Sequence, residues 1–120
     1  AVLVLTVGVW TAAGANYLLL AQGFGIGDFI GVVESVGVMV ITLLASLLPA
    51  PPGMAGVQEA SGRAAAALYG VHGGHLDAVA LAYAVVVHWW QVIVQALGAA
   101  FFLRRAGASV RELAQSARGD

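Results

Sequence analysis

Five side chains in this sequence combine a reactive type with a telling spacing. Glu59 and Arg63 stand four residues apart, so on a helix they share a face and can pair as carboxylate and guanidinium. His88, Gln91 and Gln95 fall at i, i+3 and i+7 along one helix face, and Ala84 continues that stripe with a small side chain. A carboxylate and an imidazole can exchange protons as acid and base. A stripe of imidazole and amides can hydrogen-bond a neighbouring helix, or it can line a path for a proton or a charged headgroup. The residues alone support both uses.

The surroundings of these groups are almost wholly apolar. The chain of 120 residues is 61% hydrophobic and 9% charged, against about a quarter charged in an average soluble domain. One small core could not hide so much apolar surface, so lipid is the expected solvent. Net charge is −1 and lysine is absent, which leaves no basic stripe to neutralise phosphates and argues against a nucleic-acid partner. Absence of cysteine excludes disulfides, iron–sulfur clusters and thiolate zinc sites. His72, His75 and Asp77 have metal-ligating types, but a Gly-Gly turn offers them no rigid support; a solvated loop with Asp77 as N-cap is the simpler reading. Residues 23–27, GFGIG, lack both the preceding strand and the lysine of a phosphate loop. No cofactor or metal is expected.

The elements that must position the five residues are helices. Val2 to Ala21 carries no charge and is long enough for a membrane span, with Gly8 and Ala12 as a small-residue pair and Asn16 as a polar point on the helix face. A glycine-punctuated turn follows, with Asp28 expected to cap the next helix. Ile30 to Leu48 is the second expected span; its Glu34 reads either as an interfacial carboxylate or as a functional one inside the membrane. Pro49, Pro51 and Pro52 end that helix, and Gly53 and Gly56 free the backbone to turn. Val57 to Gly70 is alanine-rich and about 21 Å long as helix, short of a span. It therefore reads as a re-entrant or interfacial half-helix facing protein rather than lipid. Ala78 to Leu103, without formal charge, is the third expected span. Trp89 and Trp90 fall at its middle, away from an interfacial belt, and are expected to pack against neighbouring helices. The expected fold is all-α: a polytopic α-helical membrane protein with three spanning helices and one half-helix.

Arg104, Arg105, Arg111 and Arg118 put four of the five basic residues at the end of the chain. By the positive-inside rule that end is cytoplasmic, with residues 1–105 forming the membrane domain and 106–120 a cytoplasmic tail. Residues 71–77 then lie outside. The first two helices take opposite orientations according to whether the half-helix is re-entrant or crosses. The chain enters an apolar helix at once, with no basic segment ahead of it, so a secretory signal is not expected. The expectation is the C-terminal part of a longer polytopic protein, whose earlier helices would pack against these.

Leu48, Pro49, Pro52, Gly53, Gly56, Val57 and Glu59, coming directly after an apolar helix, make up a pattern. Tyr83 and His88 follow in the next long helix. With these residues the chain resembles the C-terminal part of the lysylphosphatidylglycerol synthase transmembrane region family, also called the flippase-like domain family. The resemblance covers roughly Trp10 to Arg105. It departs from the pattern at Met54 and Ala55 and in placing Arg63 one turn after the glutamate. It implies a multi-pass protein of the inner (plasma) membrane that moves a phospholipid or lipid-linked substrate. Some members carry a soluble aminoacyl-transferase domain; none is present in this stretch, so translocation rather than synthesis is expected. The substrate path would involve Glu59, Arg63, His88, Gln91 and Gln95. The alternatives are a membrane-embedded enzyme using Glu59 or His88 as acid or base, and a scaffold subunit of lipid or cell-envelope metabolism in which Glu59 and Arg63 neutralise each other.

Overall fold

A computed structural model describes residues 2–105 and Gln115. Among these the chain is all helical, with no strand. The helices are α1 (Val2–Gly23), α2 (Val32–Ala45), α3 (Val57–Leu68) and α4 (His75–Arg105), and one short 3-10 turn spans Pro52–Met54. Two compact units divide the chain, Ala1–Trp89 and Trp90–Asp120. The tail expected over 106–120, with Arg111 and Arg118, lies outside the described residues apart from Gln115.

Two helices, α1 and α4, are long and apolar enough to cross a membrane. Their 22 and 31 residues make about 33 and 46 Å of helix. The second expected span is shorter than its apolar run. α2 holds 14 residues, about 21 Å. Gly31 caps it at one end, with extended backbone. At the other, the Ser46 hydroxyl donates to the Thr42 carbonyl at 3.1 Å, and the chain turns before reaching the prolines. Leu47 and Leu48 continue the apolar run, but hydrophobicity does not by itself hold a helix open past its cap.

Helices α2 and α3 start alike. Each has glycine at the N-cap and glutamate three residues on, and the glutamate accepts from the glycine N–H: Gly31 to Glu34 Oε2 at 3.1 Å, Gly56 to Glu59 Oε2 at 2.7 Å. This is half of a capping box, since glycine has no side chain to return the bond. It corrects the expectation for Asp28, which sits in the turn three residues before the cap. It also gives Glu34 a plain structural duty. α3 stops as its sequence suggests. Gly70 takes φ +93°, Val71 N–H reaches the Ala66 carbonyl at 3.1 Å, and Gly70 N–H the Ala67 carbonyl at 3.1 Å, with Val71 buried behind them. That pair of bonds is a Schellman motif with its apolar contact.

In the first unit the core is built from Tyr17, Ala21, Ile26, Ile30, Val38, Met39, Ala65, Ala66, Val71, Ala80, Tyr83 and Val87. α1 packs on α2 and α2 on α3. Two approaches are close enough to require glycine. The hydroxyl of Tyr69 lies where a Cβ on Gly37 would stand, and the Cβ of Ala84 is 2.8 Å from the place a Cβ on Gly62 would take. α3 buries Gly62, Ala65 and Ala66 but exposes Ala60, Arg63 and Ala64, so it faces protein on one side only. Outward faces are apolar, from Val2 to Trp10 on α1 and along α4. Trp89 and Trp90 are each about half exposed.

Candidate functional site

Polar side chains inside the first unit form a connected thread. Tyr83 on α4 donates its hydroxyl to the Tyr17 carbonyl at 3.1 Å. The Tyr17 hydroxyl meets the Thr42 hydroxyl at 2.9 Å. Thr42 has one proton and two carbonyls of its own helix within reach, Val38 and Met39. Its proton goes there, so Tyr17 is the donor to Thr42. Next along, Gln58 Nε2 donates to Ser46 Oγ at 2.7 Å and reaches the Thr42 carbonyl at 3.4 Å. The thread ties all four helices together at polar points, and it ends beside Glu59.

Glu59 lies in the first turn of α3, and both its oxygens are engaged. Oε2 takes the Gly56 N–H, and Oε1 lies 2.7 Å from Nδ1 of His88 on α4. The side chains of Glu59 and His88 are 14% and 7% exposed. The prolines and glycines ahead of α3 make this geometry possible. Pro51 is extended, Gly53 and Gly56 have φ +76° and +85°, and together they swing the start of α3 under α4. Met54 joins them with φ +57°, a left-handed conformation that costs a side-chain-bearing residue about 1–2 kcal/mol. Burial opposes the charge on Glu59. The bonds from His88, from its own amide and from Gly56 more than offset that, and hold its carboxyl below the usual range.

Arg63 is elsewhere. Its Nη2 lies 3.4 Å from Oδ1 of Asp77, with both side chains about half exposed. Asp77 also accepts the Gly73 N–H at 3.2 Å through Oδ2, inside the first turn of α4 rather than at its N-cap. The expected Glu59–Arg63 pair is therefore corrected: each partner finds a tertiary counterion instead. Gly62 against Ala84 sets α3 so that Glu59 is turned to His88 on α4, whereas Arg63 extends toward the start of that helix. Of the residues named from sequence, Glu59 and His88 are brought together. Gln91 is half-buried and Gln95 exposed; both belong to the second unit, and neither side chain hydrogen-bonds among the described residues. Pro49, Pro52, Gly53 and Gly56 do form the break ahead of α3. His72 and His75 are exposed, and no group of three metal-ligating side chains exists among the described residues.

Sequence reading missed Tyr17, Thr42, Ser46, Gln58 and Asp77 as partners. The available signal was scarcity. In so apolar a chain each buried polar group must find one of the few others. Comparison with family models, with curated proteins and with solved structures found no match to this chain.

Proposed function

We infer that this chain is part of a multi-pass protein of the inner (plasma) membrane that translocates a phospholipid or lipid-linked substrate, and that it is not an enzyme. α1 and α4 span, α3 is a half-helix held at membrane depth, and the end beyond Arg105 is cytoplasmic. Further helices of the same protein cover the apolar outer face of α1. The observation that carries the reading is the Glu59–His88 hydrogen bond at the break between α2 and α3. A half-buried carboxylate paired with a buried imidazole within an apolar chain is costly without a task, and discontinuous helices are where transporters place their sites. The headgroup passes Glu59 and His88 while the acyl chains stay in lipid. Family resemblance in the Pro-Gly segment supports the lipid as substrate.

Transport of a fluorescent phospholipid across liposomes containing the purified protein tests this. Glu59→Gln is expected to slow flipping at least tenfold while thermal unfolding in detergent still shows a folded protein. Full transport by a folded Glu59→Gln protein would remove Glu59 from the path.

The same hydrogen bond supports a second reading, a membrane-embedded enzyme in which Glu59 orients His88 as general base. Conversion of a lipid into a new chemical species, lost in His88→Ala, would select it over transport. On the scaffold alternative, the groups that neutralise one another are Glu59 with His88 and Arg63 with Asp77, rather than Glu59 with Arg63.

A further inference from the structure

Four polar atoms make up the Glu59–His88 pair, and three have partners. Oε2 takes the Gly56 N–H, Oε1 and Nδ1 face each other at 2.7 Å, and Nε2 has no partner among the described residues. A bare imidazole nitrogen and a carboxylate oxygen both present lone pairs, so a 2.7 Å contact between them holds a proton. With that proton on Nδ1, the ring gains or loses its second proton at Nε2. Nε2 is also not fully enclosed. Every fully enclosed side-chain nitrogen or oxygen among the described residues has a hydrogen-bond partner, so Nε2, which has none, keeps some exposed surface although His88 as a whole is buried.

We propose that Nε2 of His88 is a proton-dependent docking atom for a phosphate oxygen, which on the translocation reading above belongs to a lipid headgroup. With Nε2 bare, the pair carries −1 and turns a lone pair outward, which repels a phosphate. With Nε2 protonated, the pair is neutral overall and offers one N–H donor, which a phosphate oxygen accepts. Proton and phosphate therefore arrive together from the aqueous phase and leave together. The charges on the surrounding elements leave this role to His88. On α3, Arg63 is the only other cation, and it is engaged by Asp77 of α4. On α2, Glu34 is held at Gly31. α1 has no charged residue.

The test uses ¹⁵N-histidine-labelled protein in maltoside micelles, which contain no phosphate. His72→Gln and His75→Gln, both at exposed positions, leave His88 as the single signal. The titrants are inorganic phosphate and phosphatidylglycerol, each at an acid and an alkaline pH, about 5.5 and about 8.5. Nδ1 is expected to stay protonated at both. The Nε2–H resonance is expected to move on adding titrant at the lower pH, with binding at least tenfold weaker at the higher. Response to phosphatidylglycerol alone supports a headgroup as the source of the phosphate. Response to both supports the phosphate chemistry with no need of a lipid. No response, equal response at both pH values, or loss of the proton from Nδ1 overturns the proposal. Flipping measured in parallel separates the two readings: transport without an Nε2 response sinks this site alone, and an Nε2 response without transport sinks translocation alone.

Discussion

Oε1 of Glu59 and Nδ1 of His88 stand 2.7 Å apart, joining the first turn of α3 to the middle of α4. Each residue alone would be an unpaired polar group in an apolar chain. Removing one partner of a fully buried pair costs about 3–5 kcal/mol, and this pair, with Glu59 only partly buried, should cost less. Glu59→Gln separates two duties, because glutamine still caps Gly56 but loses the charged bond to His88. We expect Glu59→Gln and His88→Gln each to lower the unfolding temperature, and a double-mutant cycle to give a coupling of about 1–3 kcal/mol. A coupling near zero would mean that the pair does not form.

The same carboxyl makes stability depend on pH. Burial opposes its ionisation, but the bonds from His88 and the backbone amides outweigh that and hold it below the ordinary 4.5. A lowered value in the folded state means that the charged form stabilises the fold. That contribution is complete above the ordinary carboxyl range and is lost as pH falls through the lowered value. Thermal unfolding measured from neutral to acid pH should show this decline, and the decline should be shallower in Glu59→Gln.

Glycine at two helix contacts is required by what faces it. Gly37→Ala places a methyl group on the Tyr69 hydroxyl, and Gly62→Ala places one 2.8 Å from the Ala84 methyl. Overpacking of this kind costs about 1–3 kcal/mol. Tyr69→Phe should relieve Gly37→Ala only in part, since the ring carbon Cζ stays 2.8 Å from the added methyl, and Ala84→Gly should relieve Gly62→Ala more fully, both read as recovery of unfolding temperature. Near-neutral Gly37→Ala and Gly62→Ala proteins would place these groups further apart than described.

Tyr83→Phe, Tyr17→Phe and Thr42→Val each delete one link of the buried thread. Each should cost about 1 kcal/mol, with Tyr17→Phe and Thr42→Val together costing less than their sum, because both remove the same bond at 2.9 Å. Full additivity would show that the two hydroxyls do not meet.

Met54 at φ +57° is the position where a smaller residue should help. Met54→Gly relieves the left-handed strain and is expected to stabilise by about 1 kcal/mol, whereas Met54→Val should destabilise. Stabilisation by both, or by neither, would contradict the conformation of this turn.

Much of this was legible in the sequence, for reasons that differ by residue. The break at Pro49 to Gly56 was visible because proline and glycine act on the backbone locally. α3 and α4 followed from composition and from Gly70. Glu59 and His88 stood out because charge is scarce here. Their pairing was not legible, and neither was Arg63 with Asp77. Spacing of four suggests a partner on the same helix, but only the rotation of α3 against α4 decides where each side chain goes. That rotation is set by Gly62 and Ala84, whose small size carries no pattern of its own. The length of α2 was also hidden, because its apolar run continues past Ser46, where the helix has already turned.

Gly62 sits between Glu59 and Arg63 on α3, and Ala84 between Asp77 and His88 on α4. A backbone resting on a methyl group has no rotamer to absorb movement. The point works as a fulcrum, with a part-buried bond at 2.7 Å on one arm and a loose, half-exposed pair at 3.4 Å on the other. A tilt of α3 about this contact, in the plane of the two pairs, lengthens one arm as it shortens the other.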